Sequence, residues 1–347
     1  MSLGLEVLAC GARTPVGLTA ASSAAAARAG ISRLRAFPFA TRTGDPLIVA
    51  TDGDLDDRIE GRDRMQPMLR AVFDEIVETV GGPKLFAGGC DVLLSVPEAR
   101  PGFAELDAKW LEQSSVAYFQ EHGVPATVSV AGRGHAGGIA AIQTAGQLVA
   151  RRPNPLIFVV GVESYISVPT FMWLESRGQL GQPTARNGFN PGEAAAGLLL
   201  TTKAVRRQLG AKPLALVEGV GTARESLLRD SDTGSLGVGL AEAVHQACAS
   251  LRLPDEAVDQ VLCDLNSERY RSEEWGLMAL RAWHTMRQPQ YVAPADVWGD
   301  VGAAFGTLAA VLAVQAFERG YRRGPRAMVM AGSDSGLRAA MVLVEPQ

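Results

Sequence analysis

Ala126-Thr127-Val128-Ser129-Val130 runs straight into Ala131-Gly132-Arg133-Gly134-His135-Ala136-Gly137-Gly138, and a small-residue stretch follows over 139–150. The β-branched run predicts a strand, the glycines a tight loop and the Ala/Ile-rich stretch a helix. Residues 155–162 (PLIFVVGV) then form a continuous apolar run, the pattern of a strand covered on both faces. Strand, loop, helix and buried strand in that order are the unit from which α/β architectures with largely parallel sheets are built.

The same alternation extends in both directions. Strands are predicted at 3–9, 46–51, 91–96, 194–201, 213–220, 261–265, 327–331 and 339–344. Helices are predicted at 19–28, 62–80, 103–120, 236–249, 272–285 and 301–317. The pattern restarts near Leu209-Gly210 without a long Pro/Gly/Ser linker. The expected organisation is therefore two similar halves, residues 1–209 and 210–347, packed into one body.

Hydrophobic residues make up 47% of the 347 residues and charged residues 20%, which excludes a mainly disordered chain. The net charge of -4 argues against a nucleic-acid binder. No segment approaches 18 uninterrupted apolar residues, so no membrane span is expected, and no signal peptide is read at the start; the expected location is cytoplasmic. Cys10, Cys90, Cys248 and Cys263 are scattered without CxxC spacing, so buried free thiols are expected rather than disulfides or a metal site.

His135 stands where a nucleophile would, at the start of a helix near free backbone N–H groups. The helix dipole alone predicts a neutral ring; the alternative is an ordinary packed histidine. Gly134 and Ala136 flank it as a candidate oxyanion turn. The glycines here do not form GxGxxG, so a dinucleotide site is not expected. Asn266 stands at the end of the 261–265 strand, where α/β ligands collect, or else makes a simple Asx turn. Asp300 is either a site residue or an N-cap. Ser333, Asp334 and Ser335 lie in the turn 332–336, an anion cradle or a plain strand connection. His122, His245 and His284 have no paired ligands. Arg319, Arg322, Arg323 and Arg326 form a basic run that either docks an acidic carrier or is simply solvated.

Four of these places, in order, resemble the β-ketoacyl synthase branch of the thiolase superfamily. Gly138-Ile139-Ala140-Ala141-Ile142 with Phe158-Val159-Val160-Gly161-Val162-Glu163-Ser164 is similar to the nucleophile helix and the strand after it. Gly188-Phe189-Asn190-Pro191-Gly192-Glu193-Ala194-Ala195-Ala196 is similar to the GF–x–x–GEGA segment. Gly299-Asp300 with Gly302-Ala303-Ala304-Phe305-Gly306 resembles GH–x–x–GAAG, and 332–336 the C-terminal GFGG–x–N turn.

The resemblance implies a thiolase-like five-layer αβαβα fold with two pseudo-duplicated halves, usually dimeric, with the sheet edge near Phe158 as the implied interface. It would also imply a Cys–His–His set, but those positions fall on His135, Asn266 and Asp300, and no lysine follows Lys212. Ordinary condensation is therefore not expected. One reading is a non-condensing partner or scaffold, a pseudoenzyme subunit pairing with an active ketosynthase in fatty acid or polyketide-type biosynthesis. The alternative is an acyltransferase or thioesterase-like enzyme with His135 as general base. Loss of all three catalytic identities together favours the first; three retained polar groups favour the second. Neither needs a cofactor: acyl-CoA or the phosphopantetheine of an acyl carrier protein would enter as substrate. The expected partners are a second copy or an active ketosynthase, and an acyl carrier protein.

Overall fold

The computed structural model describes residues 3–152, 154–181, 187–232 and 234–346. The chain begins with β1 (Leu5–Arg13) and α1 (Ala20–Arg28), whose N-cap Thr19 and Ser22 close a reciprocal capping box. A hairpin follows, β2 (Leu34–Ala40) and β3 (Pro46–Ala50), and then α2 (Arg62–Thr79), β4 (Cys90–Val96) and α3 (Glu105–Glu121). β5 (Ala126–Arg133), α4 (Gly137–Val149) and β6 (Ile157–Ser164) realise the opening unit. After α5 (Val168–Ser176), β7 (Glu193–Thr202) and α6 (Lys203–Gln208), the pattern repeats with β8 (Ala215–Arg224), α7 (Val238–Ala247), β9 (Gln260–Cys263) and α8 (Arg269–Ala282). The two-residue β10 (Tyr291–Val292), α9 (Ala295–Trp298), α10 (Phe305–Glu318), β11 (Arg326–Gly332) and β12 (Leu337–Val344) complete it.

The main strands run in the order β10-β9-β11-β12-β8-β1-β7-β6-β4-β5. The two sets of five are arranged alike about the β8–β1 junction, which holds through Leu5↔Val217, Glu6↔Leu216 and Val7↔Ala215. α4 packs on β4, β5 and β6 and also on β8 and β12, while α10 packs on β1, β6 and β7 and also on β11. These helices therefore lie between the two five-stranded sets. α2 and α3 cover the outer face of one set, and α7 and α8 cover that of the other. The result is a five-layer αβαβα stack of two pseudo-duplicated halves. α10 explains itself from sequence: FGTLAAVLAVQAF is apolar nearly all round and is buried at every position from Phe305 to Phe317.

The structure differs from the sequence reading at several points. The sheet is mixed rather than largely parallel, because β6–β7, β11–β12, β12–β8, β8–β1 and β1–β7 all pair antiparallel. Strand direction depends on how far the chain travels between strands, which a local pattern does not carry. β2 was not expected. It contains Pro38, lies in a separate two-stranded sheet and shifts register around that proline, the edge setting in which proline is tolerated. α5 was not expected either, since VPTFMWLES has no polar stripe. α10 begins at Phe305, not 301, after a 3-10 turn over Gly302–Ala304. Phe158 is not at a sheet edge: β6 pairs with both β4 and β7, and the edge strand of this half is β5. Among the described residues, no helix is long and apolar enough to cross a membrane.

Candidate functional site

Asp300 is placed by backbone. Its N–H donates to Asn190 O and its own O accepts from Gly192 N, both at 2.8 Å. The Gly188–Glu193 segment therefore clamps the turn that carries Asp300. Gly192 is required here, because a Cβ would lie 2.1 Å from Trp298 O. Gly299, before Asp300, takes a φ of 70°, the left-handed conformation that glycine adopts without strain. The next residue, Glu193, is buried and paired with buried Arg64 at 2.7 Å, with Ser164 Oγ and Asp52 N donating to the same carboxylate.

His135 is placed by the turn between β5 and α4. Ser333 Oγ accepts from Ala136 N and donates to Arg133 O, each at 3.0 Å, and so ties the last turn of the chain to this one. The Ala136 N–H, offered from sequence to an oxyanion, is thus taken up by Ser333, and Ser335 N donates to Glu98 Oε1. Gly134 and Asp334 line the cavity beside the ring.

His135 Nε2 donates to both oxygens of Asp300, at 2.9 and 3.0 Å. Asn266 Nδ2 donates to Asp300 Oδ2 at 2.5 Å. The three residues singled out from sequence therefore converge on one carboxylate, and all three are buried. Asp300 also accepts from Gly302 N at 2.7 Å, an Asx turn; it is not the N-cap of the helix, since α10 starts at Phe305 after Ala304. Asn266 likewise makes its Asx turn, Oδ1 accepting from Glu268 N at 3.1 Å. Ser267 between them has a φ of 82°, a strained value for a residue with a side chain.

The other side of the ring carries what sequence reasoning missed. Arg271 Nη2 lies 3.5 Å from His135 Nδ1, while Nη1 donates to Asp264 Oδ2 and to Gly332 O. Its Nε donates to Glu268 Oε2. Arg100 pairs with Glu163 at 2.6 Å and lies over the Tyr165 ring, its guanidinium carbon 4.4 Å from the ring centre. His135, Arg100, Arg271, Glu163 and Tyr165 line a cavity of about 160 Å³, with the Trp173 side of α5 as one wall. Behind the ring, Trp298 and Phe305 leave a hollow of only about 10 Å³. The site is thus sealed behind His135 and open in front of it. Arg100 lies just beyond the carboxyl end of β4, where the strand-end rule would have found it. Arg271, on a helix and three residues after Glu268, gave no comparable signal.

Burial opposes a charged His135 ring, but the attraction and hydrogen bond of Asp300 outweigh it, with Arg271 opposing, and its pKa is raised above the ordinary histidine value. The helix dipole alone would lower this pKa; the Asp300 carboxylate in contact acts the other way and sets the direction of the shift. Burial would raise the Asp300 carboxyl, yet His135, Arg271 and the Gly302 N–H hold it well below the usual carboxylate range. Burial pushes the thiols of Cys10, Cys90 and Cys248 up to about 12 and raises Cys263 as well. All four cysteines are free and buried, and none lines the cavity. No three His, Cys, Asp or Glu side chains among the described residues converge to hold a metal. The basic run lies far from the site, at the other end of α10, about 20 Å of helix away. Its Arg322 pairs with Glu345 and its Arg326 with Glu256.

No family model matches the chain, and no curated protein matches it by sequence. Solved structures do match by shape. A chain of the type II polyketide synthase complex of an acyl-carrier protein with its ketosynthase bound to a hexaketide superposes with a TM-score of 0.80 at 13% identity, covering 100% of both chains. A β-ketoacyl synthase from Burkholderia phymatum gives 0.77 at 16% identity, again over 100% of both. A chain of the ketosynthase–chain length factor complex from Xenorhabdus doucetiae gives 0.75 at 13% identity, covering 99% of this chain and 98% of that one. The chain has the thiolase-like fold of the ketosynthases and chain length factors.

Proposed function

We propose that the chain is a β-ketoacyl synthase-like subunit that does not itself condense, and that it partners an active ketosynthase in fatty acid or polyketide-type biosynthesis. The observation that carries this reading is the fixing of His135 from both sides. Asp300 accepts the hydrogen bond of Nε2–H, and the Arg271 cation faces Nδ1, where a base would have to accept a proton. Condensation through a covalent acyl group needs a thiolate, and thiols pushed up to about 12 are protonated at neutral pH. A cavity of about 160 Å³ among the described residues is also small for a growing acyl chain. Solved structures of the same fold include a ketosynthase in complex with its chain length factor, which is the kind of pairing proposed.

The test is reconstitution. The tagged chain is co-expressed with a type II ketosynthase that carries its nucleophilic cysteine, and acyl-carrier condensation is assayed with a malonyl donor. The expected result is a stable pair that yields β-ketoacyl product, with none from this chain alone. Robust product from the chain alone, lost in His135→Ala, would overturn the proposal. A second reading keeps one observation in its favour, the Asp300–His135 pair at the foot of an open cavity. There Nδ1 would take the proton of a water or alcohol attacking an acyl thioester. Thioester hydrolysis or transfer abolished by His135→Ala would select that reading.

A further inference from the structure

The cavity in front of His135 holds a chemical asymmetry that the subunit reading does not use. Its two most buried carboxylates, Glu163 and Glu268, are already paired. Glu163 accepts from Arg100 at 2.6 Å and from Ala303 N at 3.2 Å. Glu268 accepts from Gln179 and Asn266 at 3.2 Å and from Arg271 at 3.1 Å, and pairs with Arg229 at 3.3 Å. Glu98 already accepts from Ser335 N.

The guanidinium groups are not saturated. Arg100 has its side chain only 6% exposed, and its Nε is buried with no hydrogen-bond partner among the described residues. Its Nη1 reaches Glu163 only at 3.5 Å. Arg271 Nη2 makes only long contacts, 3.5 Å to His135 Nδ1 and 3.4 Å to Asp334 Oδ1, beyond the usual range of a good N–H···O bond. Arg100 Nε is itself closed off, so the donors left for a ligand are Arg100 Nη1 and Arg271 Nη2, each held only by long contacts. At the buried end a cation would meet Glu163 and Glu268 already paired, and only Glu98 and Asp334 keep acceptor sites free. An acceptor with a planar, two-oxygen face matches a guanidinium fork.

We propose that this cavity binds a small carboxylate, anchored by Arg100 and Arg271. Its size limits the ligand. A cavity near 150 Å³ holds a molecule of about six non-hydrogen atoms, so a short polar acid such as lactate fits and a fatty acid does not. The inference does not depend on whether the subunit condenses, since it concerns equilibrium binding alone.

The experiment is calorimetric titration and thermal melting of the purified full chain with lactate, lactamide and octanoate. Lactate is expected to bind saturably and to raise the melting temperature with concentration, as mass action requires. Lactamide, the uncharged isostere, and octanoate, too long for the cavity, are expected to do neither. Arg100→Gln is expected to weaken lactate by about ten- to hundredfold, the scale of a charge-assisted hydrogen bond. Ala99 is exposed and lines the same cavity. Ala99→Trp should block the cavity and abolish binding while leaving the melt of the ligand-free protein unchanged, which keeps the test valid if Arg100→Gln folds poorly. No saturation by lactate up to about 10 mM, lactamide binding as well as lactate, or binding indifferent to Ala99→Trp would each overturn the proposal.

Discussion

Glu193 and Asp300 are two buried carboxylates held by neighbouring backbone, and they are used in opposite ways. Around Glu193 every valence is filled. Arg64 donates Nε and Nη2 to it, Ser164 Oγ and Asp52 N take the remaining lone pairs, and Arg64 Nη1 reaches Asp56 O. Both side chains are fully buried. Around Asp300 the carboxylate is equally well served, but its partner is a histidine whose second nitrogen faces a cavity and a long contact to a guanidinium. Saturation marks the first as structure. Incompleteness sets the second apart as the candidate site.

The largest expected effect tests the saturated member. Glu193→Gln leaves Arg64 charged, buried and uncompensated, so denaturant melts should show a loss of about 3–5 kcal/mol, the range for breaking a buried pair. A loss below about 1 kcal/mol, the scale of an exposed ion pair, would mean that the Glu193 pair is no more structural than a surface contact, and the contrast would collapse.

Gly192 lies between the two carboxylates. Gly192→Ala forces a methyl against Trp298 O, at 2.1 Å if nothing moves. A cost of about 1–3 kcal/mol is expected, as for overpacking elsewhere. The informative readout is local. The Asp300 turn should shift, because Gly192 N holds Asp300 O, while the Arg64–Glu193 pair stays in place. A crystal structure of the variant with His135–Asp300 unmoved would show that the backbone clamp does not position the site.

The same contrast explains what was legible in the sequence. PLIFVVGV and the 194–201 run announced β6 and β7 because a strand covered on both faces is written in consecutive residues. His135 was legible from the strand–loop–helix turn that carries it, and Asp300 from the likeness of 299–306 to the GH–x–x–GAAG segment. Arg271 was not, because its meaning depends on partners far away in sequence, while Arg100, just past the end of β4, was open to the strand-end rule alone. Arg271 meets His135 across 136 positions, and Arg100 meets Glu163 across 63. Antiparallel closure of each half was invisible for the same reason. β2 was hidden by Pro38, which argues against a strand unless the strand lies at an edge.

The smallest expected effect is a change of sign. With Asp300 present, the His135 pKa lies above its ordinary 6.5, so its pairing stabilises the fold in full below pH 6.5 and fades as pH rises through the raised value. The Asp300 carboxyl lies below its ordinary 3.8, so its own contribution is lost only as pH falls beneath that value and does not titrate near neutrality. In Asp300→Asn the attraction is gone, while burial and Arg271 remain, and both disfavour the charged ring. Only the weaker attraction of Asp264 then favours the charged ring, so the variant's histidine is expected to cost stability as pH falls through 6.5, the reverse of the wild-type trend. Urea melts of the two proteins across neutral pH should diverge on the acidic side, by about 1 kcal/mol, the net scale of one hydrogen bond. Parallel pH profiles would mean that His135 gains nothing from Asp300, and its ring would then be as passive as the Arg64–Glu193 pair.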